Sequence, residues 1–492
     1  MARYTHDILV IGGGAAGLTV AAGTSQLGLK TALFEPKKLG GDCLYHGCVP
    51  SKTLLKTATV YQQLKEFPTY GLPETPRPRV DIKAVNARVQ SVIDSIAYHD
   101  SPERFRKLGA EVFLGHVRFI SPHEVTFDDG KVYSAKRIVL ATGSSPRAVP
   151  IPGLEDAGYL TNLDMFSLES LPKRLIVLGG GPIGAEMSQA FTRLGTEVSL
   201  IDVAPQLLPR EDADMAAFVA DRLRAEGAAL YLGAKVQRVE ASRGSKSVVL
   251  EYEGSEVTLT ADDILVATGR RGNTDDLDLE KAGVAVEKSF ITTDAKLRTS
   301  QKHIVAIGDC NGRFLFTHVA GAEGSLAVRR LALHAGGVMN YRNVPWCTYT
   351  DPELANIGYN ERAAEEAGIK YQAITQPFRG IDRSHAEAEP EGMMKILVDS
   401  KERVIGAQVA GVHAGELSMP SIFAVSQGWK LKELMSPIYP YPTLSEITRK
   451  TVSAYMGPKL FNDKVRGILR FLFHYRGVAG SDDHVGGEEN EE

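Results

Sequence analysis

The sequence predicts an α/β protein with two Rossmann-like dinucleotide-binding domains followed by a C-terminal α+β domain. A short apolar strand at residues 7–11 leads directly into a glycine-rich turn at 12–17. The same arrangement recurs at residues 174–184. From about residue 346 the pattern changes to alternating strand-like and helical segments. An internal repeat of a dinucleotide-binding unit implies that the chain binds two dinucleotides.

The first unit contains every part of the dinucleotide fingerprint. Gly12, Gly14 and Gly17 form the G-x-G-x-x-G turn between the strand and an alanine-rich helix. A second strand at 31–34 ends at Glu35. The glycines allow a pyrophosphate to approach the helix N-terminus, and the acidic side chain accepts hydrogen bonds from a ribose. This complete pattern is much more specific than an isolated glycine motif.

The second unit repeats the pattern with Gly179, Gly181 and Gly184, and its next strand, at 197–201, ends at Asp202. A carboxylate at this position holds the 2′-hydroxyl of NAD and repels the 2′-phosphate of NADP. No Arg or Lys follows closely enough to accommodate that phosphate. We therefore expect the second unit to bind NADH in preference to NADPH.

Length and composition indicate a multidomain globular protein. A chain of 492 residues is too long for one hydrophobic core. Its hydrophobic content of 43%, charged content of 24% and net charge of −4 are ordinary, and give no reason to expect a nucleic-acid partner. The sequence shows no signal peptide or membrane span, and four cysteines suggest a reducing compartment. These features predict a cytoplasmic location.

Residues 40–52, G-G-D-C-L-Y-H-G-C-V-P-S-K, contain Cys43 and Cys48. Five positions do not place two side chains on one helical face, so we expect a kink near Gly47 and a helix that begins near Cys48. A helix N-terminus stabilises a thiolate, which favours a redox-active dithiol. Two alternatives are less favoured. A zinc site would need a second Cys/His pair with suitable spacing, which the sequence does not contain. A structural disulfide does not suit a reducing compartment.

This stretch resembles the redox motif of the FAD-dependent pyridine nucleotide–disulfide oxidoreductases, which include dihydrolipoamide dehydrogenase, glutathione reductase and mercuric reductase. The resemblance covers about residues 4–453. It implies that the first unit binds FAD, the second binds the nicotinamide nucleotide, and the C-terminal domain forms a homodimer with active sites built from both subunits. It also implies that electrons pass from NADH through the flavin to a Cys43–Cys48 disulfide. Cys48 would face the flavin and Cys43 would exchange with substrate.

The resemblance assigns further residues to the site. Lys52 and Glu186 match the family's pair near flavin N5, and Asp309 matches the ligand of the FAD ribityl chain. The remaining expected cofactor contacts are Val117, Thr142, Gly143, Gly269, Thr317 and His318. For His318, the alternative interpretation is a simple packing role. Cys310 and Cys347 are expected to be structural.

The C-terminal signature departs from the disulfide-reducing members at one position. Tyr441 stands before Pro-Thr where those members have a histidine, the general base of thiol exchange, whereas the glutamate that orients the base is kept as Glu446. The pKa of tyrosine, near 10, does not suit proton transfer at neutral pH. Mercuric reductase also has tyrosine here, and metal–thiolate exchange needs thiolates more than a proton shuttle. However, no cysteine follows Cys347, so the C-terminal metal-delivering pair of mercuric reductase is absent.

We expect five segments. They are the first part of the FAD-binding domain at 1–150, the NAD-binding domain at 151–272, the second part of the FAD-binding domain at 273–345, the interface domain at 346–458, and a tail at 459–492.

The tail contains a candidate amphipathic helix. Apolar side chains recur at helical spacing among basic residues over 459–476, a pattern that suits either packing on the dimer or peripheral contact with an anionic membrane. Packing is the preferred interpretation. Residues 481–492 are acidic and are expected to be disordered.

Three functions remain open. The first is NADH-dependent reduction of a metal–thiolate or thiol/disulfide acceptor, as in mercuric reductase. The second is dihydrolipoamide dehydrogenase activity, against which Tyr441 argues. The third is electron transfer at a membrane surface, with a peripheral location at its inner face. The acceptor is a small molecule or a protein.

Overall fold

The computed structural model describes residues 4–242 and 244–475 of the chain. The first part of the N-terminal domain consists of β1 (His6–Ile11), α1 (Ala15–Gln26), β2 (Thr31–Glu35), α2 (Gly41–Tyr45), α3 (Cys48–Glu66), α4 (Ile82–Ala97), α5 (Pro102–Lys107), β3 (Glu111–Leu114), β4 (Val117–Ser121), β5 (Glu124–Phe127), β6 (Val132–Leu140) and β7 (Ser144–Pro146). The second domain consists of α6 (Leu154–Ala157), β8 (Arg174–Leu178), α7 (Pro182–Leu194), β9 (Glu197–Asp202), α8 (Ala213–Glu226), β10 (Ala229–Leu232), β11 (Lys235–Ser242), β12 (Ser245–Tyr252), β13 (Ser255–Ala261), β14 (Asp263–Val266) and β15 (Arg270–Gly272).

The chain then returns to the first domain before it forms the last one. The returning segment consists of β16 (Val286–Glu287), β17 (Phe290–Ile291), β18 (Ile304–Ala306) and α9 (Thr317–Leu331). The C-terminal region consists of β19 (Pro345–Thr348), β20 (Glu353–Gly358), α10 (Glu361–Glu366), β21 (Gln372–Pro377), α11 (Asp382–Ala386), β22 (Met393–Val398), β23 (Val404–Gly411), α12 (Ala414–Leu417), α13 (Met419–Gln427), α14 (Glu446–Leu460) and α15 (Asp463–Phe473).

The first sheet brings three loops to one edge. Its strand order is β3-β2-β1-β6-β5-β4, and β18 pairs in parallel with β6. Since β1, β6 and β18 are parallel, the loops after Ile11, Leu140 and Ala306 leave at the same side. Ligands of open α/β sheets bind outside these carboxyl ends. The topology therefore assembles one binding edge from segments almost 300 residues apart.

The second domain repeats this arrangement with a parallel sheet of order β10-β9-β8-β14. A separate antiparallel sheet, β11-β12-β13, covers one side. Strands β8 and β14 are mostly buried, as parallel strands covered by other layers should be, whereas β9 is partly buried and the edge strand β10 is partly exposed. Two Rossmann-like domains in series confirm the α/β prediction.

The last domain is built on an antiparallel sheet of order β19-β20-β23-β22-β21. The helices α13 and α14 pack on this sheet around a core that includes Ile396, Val409, Ile447 and Val452. This agrees with the predicted α+β domain.

The tail continues as the exposed helix α15. Ile468, Phe471, Leu472 and Phe473 each remain at least 48% exposed. The expectation of disorder at 481–492 lies outside the described residues. Within those residues, no helix is both long and apolar enough to cross a membrane.

A buried arginine joins the second domain to its neighbours. Arg193 on α7 pairs with Glu226 at 2.5 Å and with Asp351 at 2.8 Å, and it donates to Thr59 Oγ1 at 3.0 Å. Only 1% of its side chain is exposed. Removing one partner of a buried ion pair leaves the other charge uncompensated.

We expect Arg193→Met to lower the free energy of unfolding by roughly 3–5 kcal/mol, because Glu226 and Asp351 would lose their buried counter-charge. The measurement is chemical denaturation of the holoenzyme. Arg224→Met on α8 is the matched control, since Arg224 pairs with Asp221 in solvent and such pairs contribute at most about 1 kcal/mol. Equal losses in the two variants would contradict the assignment.

Candidate active site

The two cysteines lie on either side of the predicted kink. Cys43 is in α2 and Cys48 is the first residue of α3, with Gly47 as its N-cap. A Cβ on Gly47 would lie 3.0 Å from the Cα of Cys43, so the turn is closed too tightly for a larger residue. Cys48 Sγ is 3.6 Å from Oγ1 of Thr317. Both cysteines are free thiols that line one cavity.

The thiols of the pair differ in acidity. The pKa of Cys48 is lowered to about 6, first because Cys43 donates a hydrogen bond to its sulfur. Burial opposes this shift, whereas Thr317 and the charge of Lys52 support it. The pKa of Cys43 is raised, because that hydrogen bond requires its proton and because it is buried. Cys48 is therefore the sulfur of the pair that ionises first, and Cys43 is its proton-bearing partner.

An ion pair flanks the thiolate. Lys52, one turn along α3 from Cys48, donates to Oε2 of Glu186 on α7 at 2.8 Å. The Glu186 side chain is 5% exposed and that of Lys52 is 35% exposed. The pair thus joins the redox helix to the second domain inside the cavity.

The first glycine turn fits a dinucleotide. Gly12 has φ +111°, and a Cβ there would lie 2.2 Å from the oxygen of Ala141. A Cβ on Gly17 would lie 1.9 Å from the oxygen of Gly12. Gly14 is the N-cap of α1 with no side-chain cap, which leaves the helix N-terminus facing the cavity. This open N-terminus is suited to the FAD pyrophosphate.

Glu35 and Asp202 occupy equivalent places in the two units. Glu35 accepts hydrogen bonds from the backbone of Gly13 at 2.8 Å and of Lys37 at 2.9 Å. Asp202 accepts from the backbone of Gly180 and, at 2.6 Å, of Ala204. Each carboxylate therefore stands beside its glycine turn, where a ribose would lie.

The second glycine turn has the same close contacts as the first. A Cβ on Gly179 would lie 2.6 Å from the oxygen of Ala267, and one on Gly184 would lie 1.8 Å from the oxygen of Gly179. Gly181 is the N-cap of α7 and lines the cavity. The two turns face one continuous cavity of about 2190 Å³ that also contains the cysteines. Such a cavity has room for two dinucleotides.

The other predicted cofactor contacts come together in this cavity. Its lining includes Val117, Thr142, Gly143, Gly269, Asp309, Thr317 and His318. His318 Nε2 lies 2.8 Å from the oxygen of Pro345, and its ring stacks on Phe316 at 5.3 Å. Burial lowers the pKa of His318, which favours the neutral imidazole.

Tyr441 and Glu446 lie elsewhere in the subunit. Tyr441 is 70% exposed, and its hydroxyl donates to Oδ2 of Asp382 at 2.9 Å. Glu446 is buried and accepts a hydrogen bond from Arg449 at 2.9 Å. The hydrogen bond to Asp382 raises the pKa of Tyr441, so the phenol keeps its proton at neutral pH and cannot accept another. Neither residue lines the cavity within one subunit.

Arg270 is a site residue that the sequence reasoning missed. Its guanidinium donates to Oδ2 of Asp42 at 2.9 Å and to both oxygens of Ser144, and it lies 3.9 Å from Asp309. Ser144 also donates to Asp309 at 2.6 Å. Burial raises the pKa of Asp309, and Ser144 and Arg270 oppose that rise. The only sequence signal was its place directly after A-T-G in the second unit.

Two family models match most of the chain. A model described as pyridine nucleotide-disulphide oxidoreductase matches residues 6–324, and the dimerisation domain of the same family matches residues 344–452. The chain belongs to this family. The oxidoreductase is accordingly a flavoprotein that uses FAD and a pyridine nucleotide, with a disulfide redox centre. The dimerisation domain supports a homodimer.

The curated relatives of this oxidoreductase include enzymes of two kinds. A dihydrolipoyl dehydrogenase from Thermus scotoductus is 35% identical over 449 residues, which are 90% of this chain and 95% of that protein. A mercuric reductase from Staphylococcus aureus is 31% identical over 443 residues, covering 90% of this chain and 81% of that protein. Among solved structures, the Cu(II) complex of the HOCl-induced flavoprotein disulfide reductase RclA from Escherichia coli has a TM-score of 0.81. It is 28% identical and covers 92% of this chain and 99% of its own.

Removal of the Arg270 side chain should weaken FAD retention. In Arg270→Met, Asp42 and Asp309 would lose their shared counter-charge beside the anionic cofactor. We expect at least a tenfold increase in the dissociation constant for FAD, measured by flavin fluorescence after reconstitution of the apoprotein. Arg298→Met, whose ion pair with Asp294 lies outside the cavity, is the control and should bind FAD normally. Normal FAD affinity in Arg270→Met would refute this role.

Proposed function

We propose that this oxidoreductase transfers electrons from NADH, through FAD and the Cys43–Cys48 pair, to a metal ion held by thiolates. The observation that carries the proposal is Tyr441 in the position of the histidine base, with its hydroxyl bound to Asp382. A phenol whose pKa is raised does not accept the proton that disulfide exchange requires at neutral pH. A soft metal ion instead needs thiolate ligands, which the Cys43–Cys48 pair can supply in its reduced form.

Bound FAD supplies the electron relay between the nicotinamide and the sulfur pair. The chain contributes the remaining chemistry. Cys43 and Cys48 alternate between disulfide and dithiol. The family resemblance assigns exchange with the acceptor to Cys43, whose thiol must lose its proton before the sulfur binds a metal ion. Lys52 and Glu186 hold balanced charge beside the pair.

The overall reaction balances for a divalent metal bis-thiolate. NADH and one proton react with the complex to give NAD⁺, the metal atom and two thiols. NADH provides two electrons, which reduce the metal ion. Its own proton and the added one protonate the two released thiolates. No further reductant or oxidant is needed.

Asp202 supports NADH as the donor. Its carboxylate already accepts two backbone hydrogen bonds next to the second glycine turn. A ribose hydroxyl can donate to the same group, whereas a 2′-phosphate would place negative charge against it.

Dihydrolipoamide dehydrogenase activity is the alternative. It is favoured by the similarity to the dehydrogenase from Thermus scotoductus, and opposed by the absence of a basic side chain at Tyr441. In either case, we propose that the homodimer completes each site by adding Tyr441 and Glu446 from the other subunit. This is consistent with the exposure of Tyr441 and its place outside the cavity.

Turnover with different acceptors tests the proposal. With NADH as the donor, we expect turnover of Hg(II) in excess thiol to be at least tenfold faster than turnover of lipoamide. With Hg(II) as the acceptor, we expect NADH to be oxidised faster than NADPH. Tyr441→His should raise lipoamide turnover about 10²-fold, since a positioned base contributes 10²–10⁴. Cys43→Ser should abolish turnover with either acceptor. Fast lipoamide turnover by the unmodified enzyme would establish the alternative function instead.

We also propose that the basic tail helix contacts anionic membranes from the cytoplasmic side. Residues 459–475 contain four basic side chains, Lys459, Lys464, Arg466 and Arg470, and one acidic one, Asp463, so their net charge is 4 − 1 = +3. The whole chain has a net charge of −4. Attraction to an anionic surface contributes about 1 kcal/mol per basic residue.

The apolar side of α15 supports the same proposal. Ile468, Leu469 and Leu472 lie on one face of α15 and are all exposed. An amphipathic helix with such a face binds in the plane of a bilayer interface, with the apolar side chains inserted.

Vesicle sedimentation tests the membrane contact. The holoenzyme should co-sediment with vesicles containing phosphatidylserine and be released at high salt, because the attraction is screened. Leu472→Asp should lose at least tenfold in affinity, whereas Leu333→Asp, an exposed leucine outside the tail helix, should not. Equal binding by the two variants would refute the proposal and favour packing of the helix within the dimer.

A further inference from the structure

The segment that follows β19 is attached to one face of α7. The backbone N–H of Tyr349 donates to Oε1 of Glu186 at 2.9 Å, and that of Asp351 donates to Oε1 of Gln189 at 2.7 Å. Gln189 returns a hydrogen bond to the oxygen of Asp351 at 2.6 Å, and Arg193 pairs with its carboxylate at 2.8 Å. The three α7 residues are spaced i, i+3, i+7 and so share one face. The dimerisation domain is therefore fixed directly to the helix that carries Glu186.

The Tyr349 side chain adds a second contact to the same ion pair. The Lys52 ammonium lies 4.5 Å from the centroid of the Tyr349 ring, and 2.8 Å from Oε2 of Glu186. A cation at this distance from a ring face is attracted by its quadrupole. Lys52 is thus held between a carboxylate and an aromatic face from different domains. Within the described residues, the Tyr349 hydroxyl makes no hydrogen bond, so only the ring takes part.

We propose that Tyr349 is a positioning residue of the redox centre, which holds the Lys52–Glu186 pair beside Cys48 from the dimerisation domain. This inference goes beyond the proposed acceptor and rests only on Cys48 as a reactive thiolate.

Tyr349 is expected to affect the ionisation of Cys48 through the charged groups around its sulfur. Cys43 and Thr317 contact the sulfur by hydrogen bonds, Lys52 favours the thiolate, and Glu186 opposes it. If Lys52 loses the ring face that holds it, its ammonium spends less time near the sulfur. The negative charge of Glu186 then has less compensation, and Cys48 becomes harder to ionise.

Alkylation of Cys48 as a function of pH measures this effect without any turnover. The experiment uses the FAD-loaded protein in a Cys43→Ser background, in which a hydroxyl still donates to Cys48 but no disulfide forms. Tyr349→Leu should raise the pH midpoint of iodoacetamide alkylation by about 0.5 unit, which is about threefold slower alkylation below the midpoint. Tyr349→Phe keeps the ring and should match the parent protein.

Comparing single and double variants tests whether Tyr349 acts on Cys48 through Lys52. Lys52→Met should also raise the midpoint, and adding Tyr349→Leu to it should cause no further change if Tyr349 acts through Lys52. An unchanged midpoint in Tyr349→Leu, an equal shift in Tyr349→Phe, or full additivity with Lys52→Met would each overturn the proposal. If Tyr349→Leu does not fold, Tyr349→Met replaces it. Metal and lipoamide turnover in the parent protein test the acceptor separately.

Discussion

The ion pair between Lys52 and Glu186 is the interaction on which the arrangement of the active site depends. It joins α3, which begins at the redox cysteine, to α7, which begins at the second glycine turn. Burying charge is unfavourable unless each charge is paired and hydrogen-bonded. The pair therefore stabilises only one relative placement of the two helices. That placement brings the cysteine pair and the two glycine turns, which would hold the flavin and nicotinamide nucleotides, into one cavity.

The cysteine pair illustrates how local geometry produces reactivity. The closed turn at Gly47 brings Cys43 against Cys48, and one proton is shared unequally between the two sulfurs. The same contact that lowers the pKa of one thiol raises that of the other. A division of roles between the sulfurs thus follows from their positions, before any substrate is bound.

Tyr441, the residue on which the proposed acceptor rests, lies in a different region. The exposed Tyr441 hydroxyl donates to the Asp382 carboxylate, and neither residue lines the cavity of its own subunit. This pair creates no proton acceptor suited to neutral pH, because the hydrogen bond to the carboxylate stabilises the protonated phenol and raises its pKa. If the proposed homodimer brings Tyr441 to each site, the choice of acceptor depends on a residue outside the cavity of its own subunit.

The sequence by itself determined the two nucleotide units, the kink between the cysteines and the departure at Tyr441. These features are local, since close backbone approach requires glycine at fixed offsets and ionisation depends on residue type. Only the tertiary structure decided the contacts of Arg270 and Tyr349. The contacts of Arg270 with Asp42 and of Tyr349 with Lys52 join segments more than 200 residues apart, and no short-range sequence pattern predicts such contacts. The sequence likewise showed that the tail helix is amphipathic, but only its exposure in the folded chain left that face without a partner among the described residues.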